Sequence, residues 1–498
     1  MNRRGSGILL HITSLPSPYG IGDFGSEAYK FVDFLKQAKQ SYWQILPLGA
    51  INSDYNPSPY HNISAFAFNK FLISPELMIK EGLLNKADLA PAPGFSRQRV
   101  DYESVIAYKR KLFHKAISRF RKRKNKDEYE KFCSENSSWI EDFAFFVVIK
   151  SHFRGRVWSE WPSDVRDRKL EVIRSLRKEL QAKTEIEKFL QFIFFKQWVS
   201  LKNYCHEQGI HIIGDMPFYV DYDSVDCWTH PDIFKLDKSK KPVVVSGVPP
   251  DYFSRTGQLW GNPIYRWDVL KKRKYYWWIQ RIEQNLKLYD IVRVDHFRGF
   301  VGYWEVPATQ RTAIKGKWIK APALDFFNQL NKRFRFLPII AEDLGTITPD
   351  VREVMHHFRF PGMKVLLFAF GEDNPMHPYL PHTYEKNYVV YTGTHDNNTV
   401  KGWLEREAKP KDKMRLFRYL GQEVSAEEVN WEFIRLAMMS VANTAIIPIQ
   451  DVLGLGEETR MNKPATKRGN WQWRLLSEQM TSSLAGKLSE ITEIYGRG

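Results

Sequence analysis

Cysteine is scarce in this chain. The 498 residues include only Cys133, Cys205 and Cys227, which form no CxxC pair and are odd in number. Neither a disulfide framework nor a zinc site is supported, and a reducing, cytoplasmic compartment fits that usage. Long apolar runs are missing as well. The opening MNRRGSGILLHITSLP has basic residues, but its short apolar run is broken by His11. No signal peptide and no membrane span is read from it or from any other stretch. Low-complexity tracts, repeats of solenoid length and a GxxxxGK[ST] phosphate loop are also absent. So are RNP, zinc-finger and helix-turn-helix patterns, which bears on the formal net charge of +17. Without such a pattern, the basic runs Lys109–Lys111, Arg119–Lys126 and Lys271–Lys274 read as solvated helix faces, not as a nucleic-acid surface.

What remains is an ordinary globular composition, 43% hydrophobic and 26% charged, with a generous 14% of aromatic residues. Aromatics fill cores but also line sugar- and base-stacking clefts. Eight strand candidates recur, at residues 7–13, 43–48, 210–216, 290–295, 338–343, 363–369, 388–394 and 445–450, most separated by helical patterns. Gly20, Gly22 and Gly25 satisfy GxGxxG, but Pro16 and Pro18 intervene and the second strand, WQILPL, ends without an acid. These glycines therefore shape a loop, not a dinucleotide site. Alternating β and α units predict a parallel sheet, and eight of them predict a (β/α)₈ TIM-type barrel of the α/β class. A doubly wound open sheet is the alternative. The expected organisation is one barrel domain over 1–498, with a mostly helical insertion at 52–205 and an inserted active-site loop region at 219–263. A continuous helix is expected over Arg266–Leu288.

The chemistry gathers at strand ends. In DIVRVDHFRGF, Asp290 to Phe300, an apolar strand runs into Asp295, His296 and Arg298, with Arg293 set inside it. Aspartate is a poor strand former and costly to bury, so such a cluster at a strand's C-terminal end points to a site, although a salt-bridged junction has the same local signature. Glu342 ends PIIAEDL, Asp396 ends YVVYTGTHD and Asp215 ends IHIIGDM. In a parallel sheet all these acids converge on one face. Two carboxylates can perform glycoside chemistry, one as nucleophile and one as acid/base, and a third can hold sugar hydroxyls. Arg293 and His296 flank Asp295 with groups that favour a carboxylate, whereas the apolar run before Glu342 favours a proton donor there. His395 adds a hydrogen-bonding group to the same rim. The same four acids could instead hold Mg²⁺. Aromatic loops carrying Tyr55, Tyr60, Tyr252, Phe253 and Trp260 weigh toward a sugar substrate and no metal.

Taken together, LPSPYGIGDFG, WQILPLG, NPSPYH, IGDMPFYV, PPDYFSRTGQLWGNPIYRW, VRVDHFRGF, IIAEDLG, GTHDNNT and RMNKPATKRGNWQWR resemble the blocks of the amylomaltases. These are bacterial 4-α-glucanotransferases, or disproportionating enzymes, of the α-amylase clan. VRVDHF alone would indicate only the clan; the tryptophan-bearing loop around Trp260 is the specific part. The resemblance implies a (β/α)₈ barrel without a C-terminal β-sandwich and a retaining transfer of α-1,4-glucan segments that needs no cofactor. Its partners would be maltooligosaccharides, starch- or glycogen-type glucans and glucose. It implies Asp295 as nucleophile, Glu342 as general acid/base and Asp396 as the group gripping the distorted sugar. By the same resemblance Tyr60 stacks on the sugar with Ser58 near it, Asp215, Arg293, His296 and His395 hold hydroxyls and orient the nucleophile, and Trp260 and Asn462 lie on the acceptor side. One departure is Ala465 in RMNKPAT, where the family usually has glycine. An α-glucan hydrolase with the same carboxylates, and a basic glycan- or RNA-binding protein, are the competing readings.

Overall fold

The strands are short and largely apolar because they are covered on both faces, which leaves no reason for polar alternation. In the computed structural model, which describes residues 4–51, 57–250, 254–466 and 468–498, they are β1 (Gly5–Leu9), β2 (Tyr42–Gln44), β3 (His211–Met216), β4 (Ile291–Val294), β5 (Ile339–Ala341), β6 (Gly362–Val365), β7 (Tyr388–Tyr391) and β8 (Thr444–Pro448). All pair in parallel, in the order β6-β7-β8-β1-β2-β3-β4-β5. The two ends meet where the Ala341 N–H donates to the Pro361 carbonyl at 2.9 Å. The Asp343 carboxylate adds to the seam by accepting the Met363 N–H at 2.6 Å. The sheet is thus a nearly closed (β/α)₈ barrel, as the eight periodic segments predict, and not an open doubly wound sheet.

Ile8, Trp43, Ile212, Val292, Ile340, Val390 and Ile446 are all buried in the common core, each such side chain contributing roughly 1.5–3 kcal/mol. Close approach is built in at Gly214, where a Cβ would lie 2.1 Å from the Tyr289 ring. The loop after β1 behaves as the Pro and Gly spacing predicts: the helix waits until Ser26, and a Cβ at Gly22 would lie 1.9 Å from the Ile12 carbonyl. Between β2 and β3 the chain is helical, with helices at Tyr102–Arg121, Asp127–Glu135 and Ile140–His152 and a 38-residue helix at Leu170–Glu207.

Three expectations need correction. The stretch 219–263 is not purely loop: Val244–Val248 and Gln258–Pro263 are strands, joined by Gly302–Pro307 and Lys317–Lys320 in a four-stranded antiparallel sheet. The helix expected over Arg266–Leu288 is two, Trp267–Lys272 and Tyr276–Leu288, broken where Lys274 and Tyr275 take φ of 51° and 56°. Lys109, counted among the solvated basic residues, is fully buried. Its ammonium donates to the Phe71 and Ile73 carbonyls at 2.7 and 2.9 Å and lies 3.5 Å from Asp23.

Candidate active site

Register sets the heart of the site. Asp215 on β3 lies directly opposite Arg293 on β4, so both side chains share one face of the sheet. The Arg293 guanidinium donates to both Asp215 oxygens, at 2.9 and 2.7 Å, and through its other nitrogen to Asp295 at 2.9 Å. Arg293 and Asp215 are buried, and Asp295 opens partly to solvent. Burial pushes the Asp215 carboxyl up despite the guanidinium beside it. It pulls the Arg293 guanidinium down, but Asp215 and Asp295 outweigh that and leave it well above its usual value. The guanidinium fork therefore fixes the carboxylate at the tip of β4 relative to its neighbour.

Glu342, just past β5, is held by backbone alone. The His296 N–H donates to one of its oxygens and the Leu344 N–H to the other, each at 2.8 Å. The first bond depends on His296 adopting the left-handed region, φ 49°, a conformation uncommon outside glycine. Burial first, and the negative Asp295 second, raise the Glu342 carboxyl to about 8. A half-buried acid whose proton is held more tightly than usual, next to a guanidinium-bound carboxylate, is the asymmetry that separates a proton donor from a nucleophile.

The His296 ring makes no hydrogen bond to Asp295. It lies edge-on to Trp260 with centroids 4.8 Å apart and stacks beside Tyr219 at 5.9 Å. Desolvation lowers it to about 4, which favours the neutral ring, and its buried Nε2 has no hydrogen-bond partner among the described residues. An unpaired buried nitrogen beside the acids is an open position for a hydroxyl. Trp260 reaches it because the pairing of its strand slips: Val245 faces Pro263 whereas Gly247 faces Leu259. Such a bulge re-aims side chains, and Gly261, φ 82°, supplies the turn.

On the opposite side, the Tyr60 hydroxyl donates to Asp215 at 2.7 Å and its ring stacks on His395 at 5.1 Å. Ser58, buried, accepts the Tyr60 N–H at 3.2 Å and so shapes the loop that presents the ring. Asp396, past β7 and half exposed, accepts from the Asn462 amide at 2.6 Å, with His395 Nε2 at 3.5 Å. The anticipated site residues that the structure describes thus gather around the C-terminal ends of the barrel strands, Trp260 reaching in from the accessory sheet. Asn462 touches Asp396 directly, a contact the sequence did not suggest. Tyr55, Tyr252 and Phe253 lie outside the described residues.

Two residues escaped sequence reasoning. Arg460 donates to the carbonyls of Asp396 and Asn462, each at 2.7 Å, and to Glu407 at 3.0 Å, tying the two loops together. Trp471 packs its ring 5.8 Å from Tyr60 and 5.9 Å from His395. Both stand inside RMNKPATKRGNWQWR, so the block was legible while its individual contacts were not. Among the described residues one metal-like cluster occurs, His206, His211 and Asp290. It lies at the N-terminal ends of β3 and β4, away from these acids, and Lys202 already sits 3.2 Å from Asp290.

A (β/α)₈ barrel whose C-terminal rim gathers an arginine-bridged carboxylate pair, a glutamate with a raised pKa and stacked aromatics has the geometry of a carbohydrate-active barrel enzyme. The sequence profile of the 4-alpha-glucanotransferases matches residues 10–480, and the chain belongs to that family. It is 47% identical to the 4-alpha-glucanotransferase of Synechocystis, over 100% of this chain and 99% of that protein. With the Thermus thermophilus enzyme of the same name it shares 44% identity, over 99% of each. Among solved structures, the amylomaltase of Streptococcus agalactiae in complex with acarbose superposes with a TM-score of 0.96 at 40% identity, covering 100% of both chains.

Proposed function

We propose that this protein transfers α-1,4-glucan segments to the 4-hydroxyl of glucose or of another glucan with retention of configuration. The observation that carries the reading is the pair of unequal carboxyls. Asp295 is held by Arg293 at 2.9 Å, while desolvation raises Glu342 to about 8. In the first half-reaction Asp295 attacks the anomeric carbon and Glu342 gives its proton to the departing glycosidic oxygen. In the second, the ionised Glu342 takes the proton of an incoming sugar hydroxyl, which displaces Asp295 and regenerates both groups. Asp396, fixed by Asn462 and facing solvent, grips hydroxyls of the distorted sugar. The neutral His296 Nε2 takes another, and Tyr60 supplies a stacking face for the same ring.

Maltooligosaccharides, starch- or glycogen-type glucans and glucose are the substrates this reading names. No step calls for a metal or organic cofactor, and neither nucleic acid nor membrane is a partner; no described helix is long and apolar enough to cross a bilayer. The place of action read from the cysteine usage is the cytoplasm. Transfer and hydrolysis differ only in whether sugar or water attacks the intermediate, so the deciding assay is incubation with maltotriose. Glucose plus a ladder of longer chains is expected. A steady rise in reducing ends without the ladder would make the protein a hydrolase. Asp295→Asn is expected to abolish turnover while glucan binding persists, and a variant that still turns over would remove Asp295 from its role.

A further inference from the structure

Two tryptophans of the accessory sheet sit on the turn that follows Asp295. Trp260, on one outer strand, meets His296. Trp318, on the other outer strand, Lys317–Lys320, lies against Arg298, whose guanidinium carbon is 3.8 Å from the indole centroid. The four strands place these edges three spacings apart, roughly 14 Å. The Trp318 ring is also held from the side by Trp304, paired directly opposite it, at 5.3 Å and 67°. Despite those two contacts Trp318 is 40% exposed.

Arg298 in turn is anchored on the acid/base side of the cleft. It donates to the Thr346 carbonyl and, at 3.4 Å, to the Thr348 hydroxyl, in the loop that begins at Glu342. The indole is therefore fixed to the rim between the two catalytic loops. A large apolar ring that is rigid, already ordered and left open to water suits one ligand class here, the apolar face of a pyranose.

We propose that Trp318 is a platform for an α-1,4-glucan chain, engaging sugar residues beyond those held at Asp295 and Glu342. This rests on the function proposed above and adds to it a chain-length preference. The preference follows if a trisaccharide bound across the carboxylates stops short of the indole and a longer chain reaches it, and the titration below separates the two. Because Arg298 holds the ring in place before substrate arrives, the contact costs little ordering on binding.

The test uses the full chain with Asp295→Asn to prevent turnover, with and without Trp318→Ala, titrated calorimetrically with maltotriose and with maltoheptaose. Loss of one stacking contact is expected to raise the maltoheptaose Kd roughly tenfold and to leave the maltotriose Kd within about twofold. Trp318→Phe, which keeps a ring on Arg298, should restore most of the difference. In the otherwise wild-type enzyme, Trp318→Ala should lower kcat/KM for amylose by a similar factor and spare maltotriose disproportionation. Equal losses on both ligands would make Trp318 a structural clamp on the Glu342 loop and overturn the proposal, as would no loss on either. Wild-type enzyme that builds no ladder from maltotriose would defeat the transferase reading, while the binding titration would still judge the platform.

Discussion

Replacing Glu342 with glutamine tests the site's electrostatics separately from its chemistry. Folding raises the Glu342 carboxyl from its ordinary 4.5 to about 8, because burial and Asp295 outweigh Arg293 and the Leu344 N–H. Below pH 4.5 both states hold the proton and the group contributes no pH dependence. Between 4.5 and 8 only the folded state holds it, so wild-type stability falls as pH rises, at up to about 1.4 kcal/mol per pH unit. From pH 5 to pH 8 the upper bound is about 4 kcal/mol, and partial access of water at the cleft reduces it to about 2 kcal/mol. Glutamine carries no such proton. Its amide also meets the His296 or Leu344 N–H donor to donor, a pH-independent cost of about 1–3 kcal/mol. The informative quantity is therefore the slope of the difference. Urea unfolding at several pH values should show wild type losing about 2 kcal/mol relative to Glu342→Gln between pH 5 and pH 8. A difference that stays flat across that range would refute the raised pKa of Glu342. In parallel, glucose release from maltotriose by wild type should decline above about pH 8 as the donor form is lost, and the variant should lose roughly 10²–10⁴-fold in rate.

Other substitutions probe the surrounding network. Arg293→Lys cannot bridge Asp215 and Asp295 at once; it should cost about 3 kcal/mol in urea unfolding and more than about 100-fold in kcat. Asn462→Ala removes the 2.6 Å bond to Asp396, and initial rates should show a several-fold loss in kcat/KM with the fold intact by circular dichroism. Ala465 adopts φ 64°, a left-handed conformation that costs a residue with a Cβ about 1–2 kcal/mol. Ala465→Gly relieves it but returns about 0.4–1 kcal/mol to the unfolded chain. A net gain of up to about 1 kcal/mol in the urea midpoint, at unchanged m and activity, is expected.

The barrel was legible because parallel strands buried on both faces are apolar runs, and all eight predicted segments overlap β1–β8. The acids were legible because Asp215, Asp295, Glu342 and Asp396 interrupt or end such runs. The accessory sheet was less so. Its strand Gly302–Pro307 buries Tyr303, Glu305 and Val306 together, so no clean two-residue alternation survives. The break at Lys274 and Tyr275 carries no glycine or proline to announce it. Geometry within the site lay deeper still. That Arg293 serves two carboxylates follows from the β3–β4 register, and that His296 offers Glu342 a backbone N–H follows from its positive φ. Neither is a property of residue types in order.

In the roles proposed for them, the carboxylates account for retaining glycoside chemistry but do not choose between water and sugar as the second nucleophile. That choice belongs to whatever surrounds the intermediate proposed on Asp295. A bulge aims Trp260 at the residue next to it, and a second tryptophan stands on Arg298 three residues on. Tyr60 and Trp471 close against His395 across the cleft. These rings can bind an incoming glucan by its apolar faces, and a bound glucan displaces the water that would otherwise attack. An enzyme built this way transfers when acceptor is bound and hydrolyses when it is not. The ratio of the two should therefore follow acceptor concentration, and lowering glucose in the assay should raise hydrolysis in proportion to the unoccupied fraction of the acceptor side.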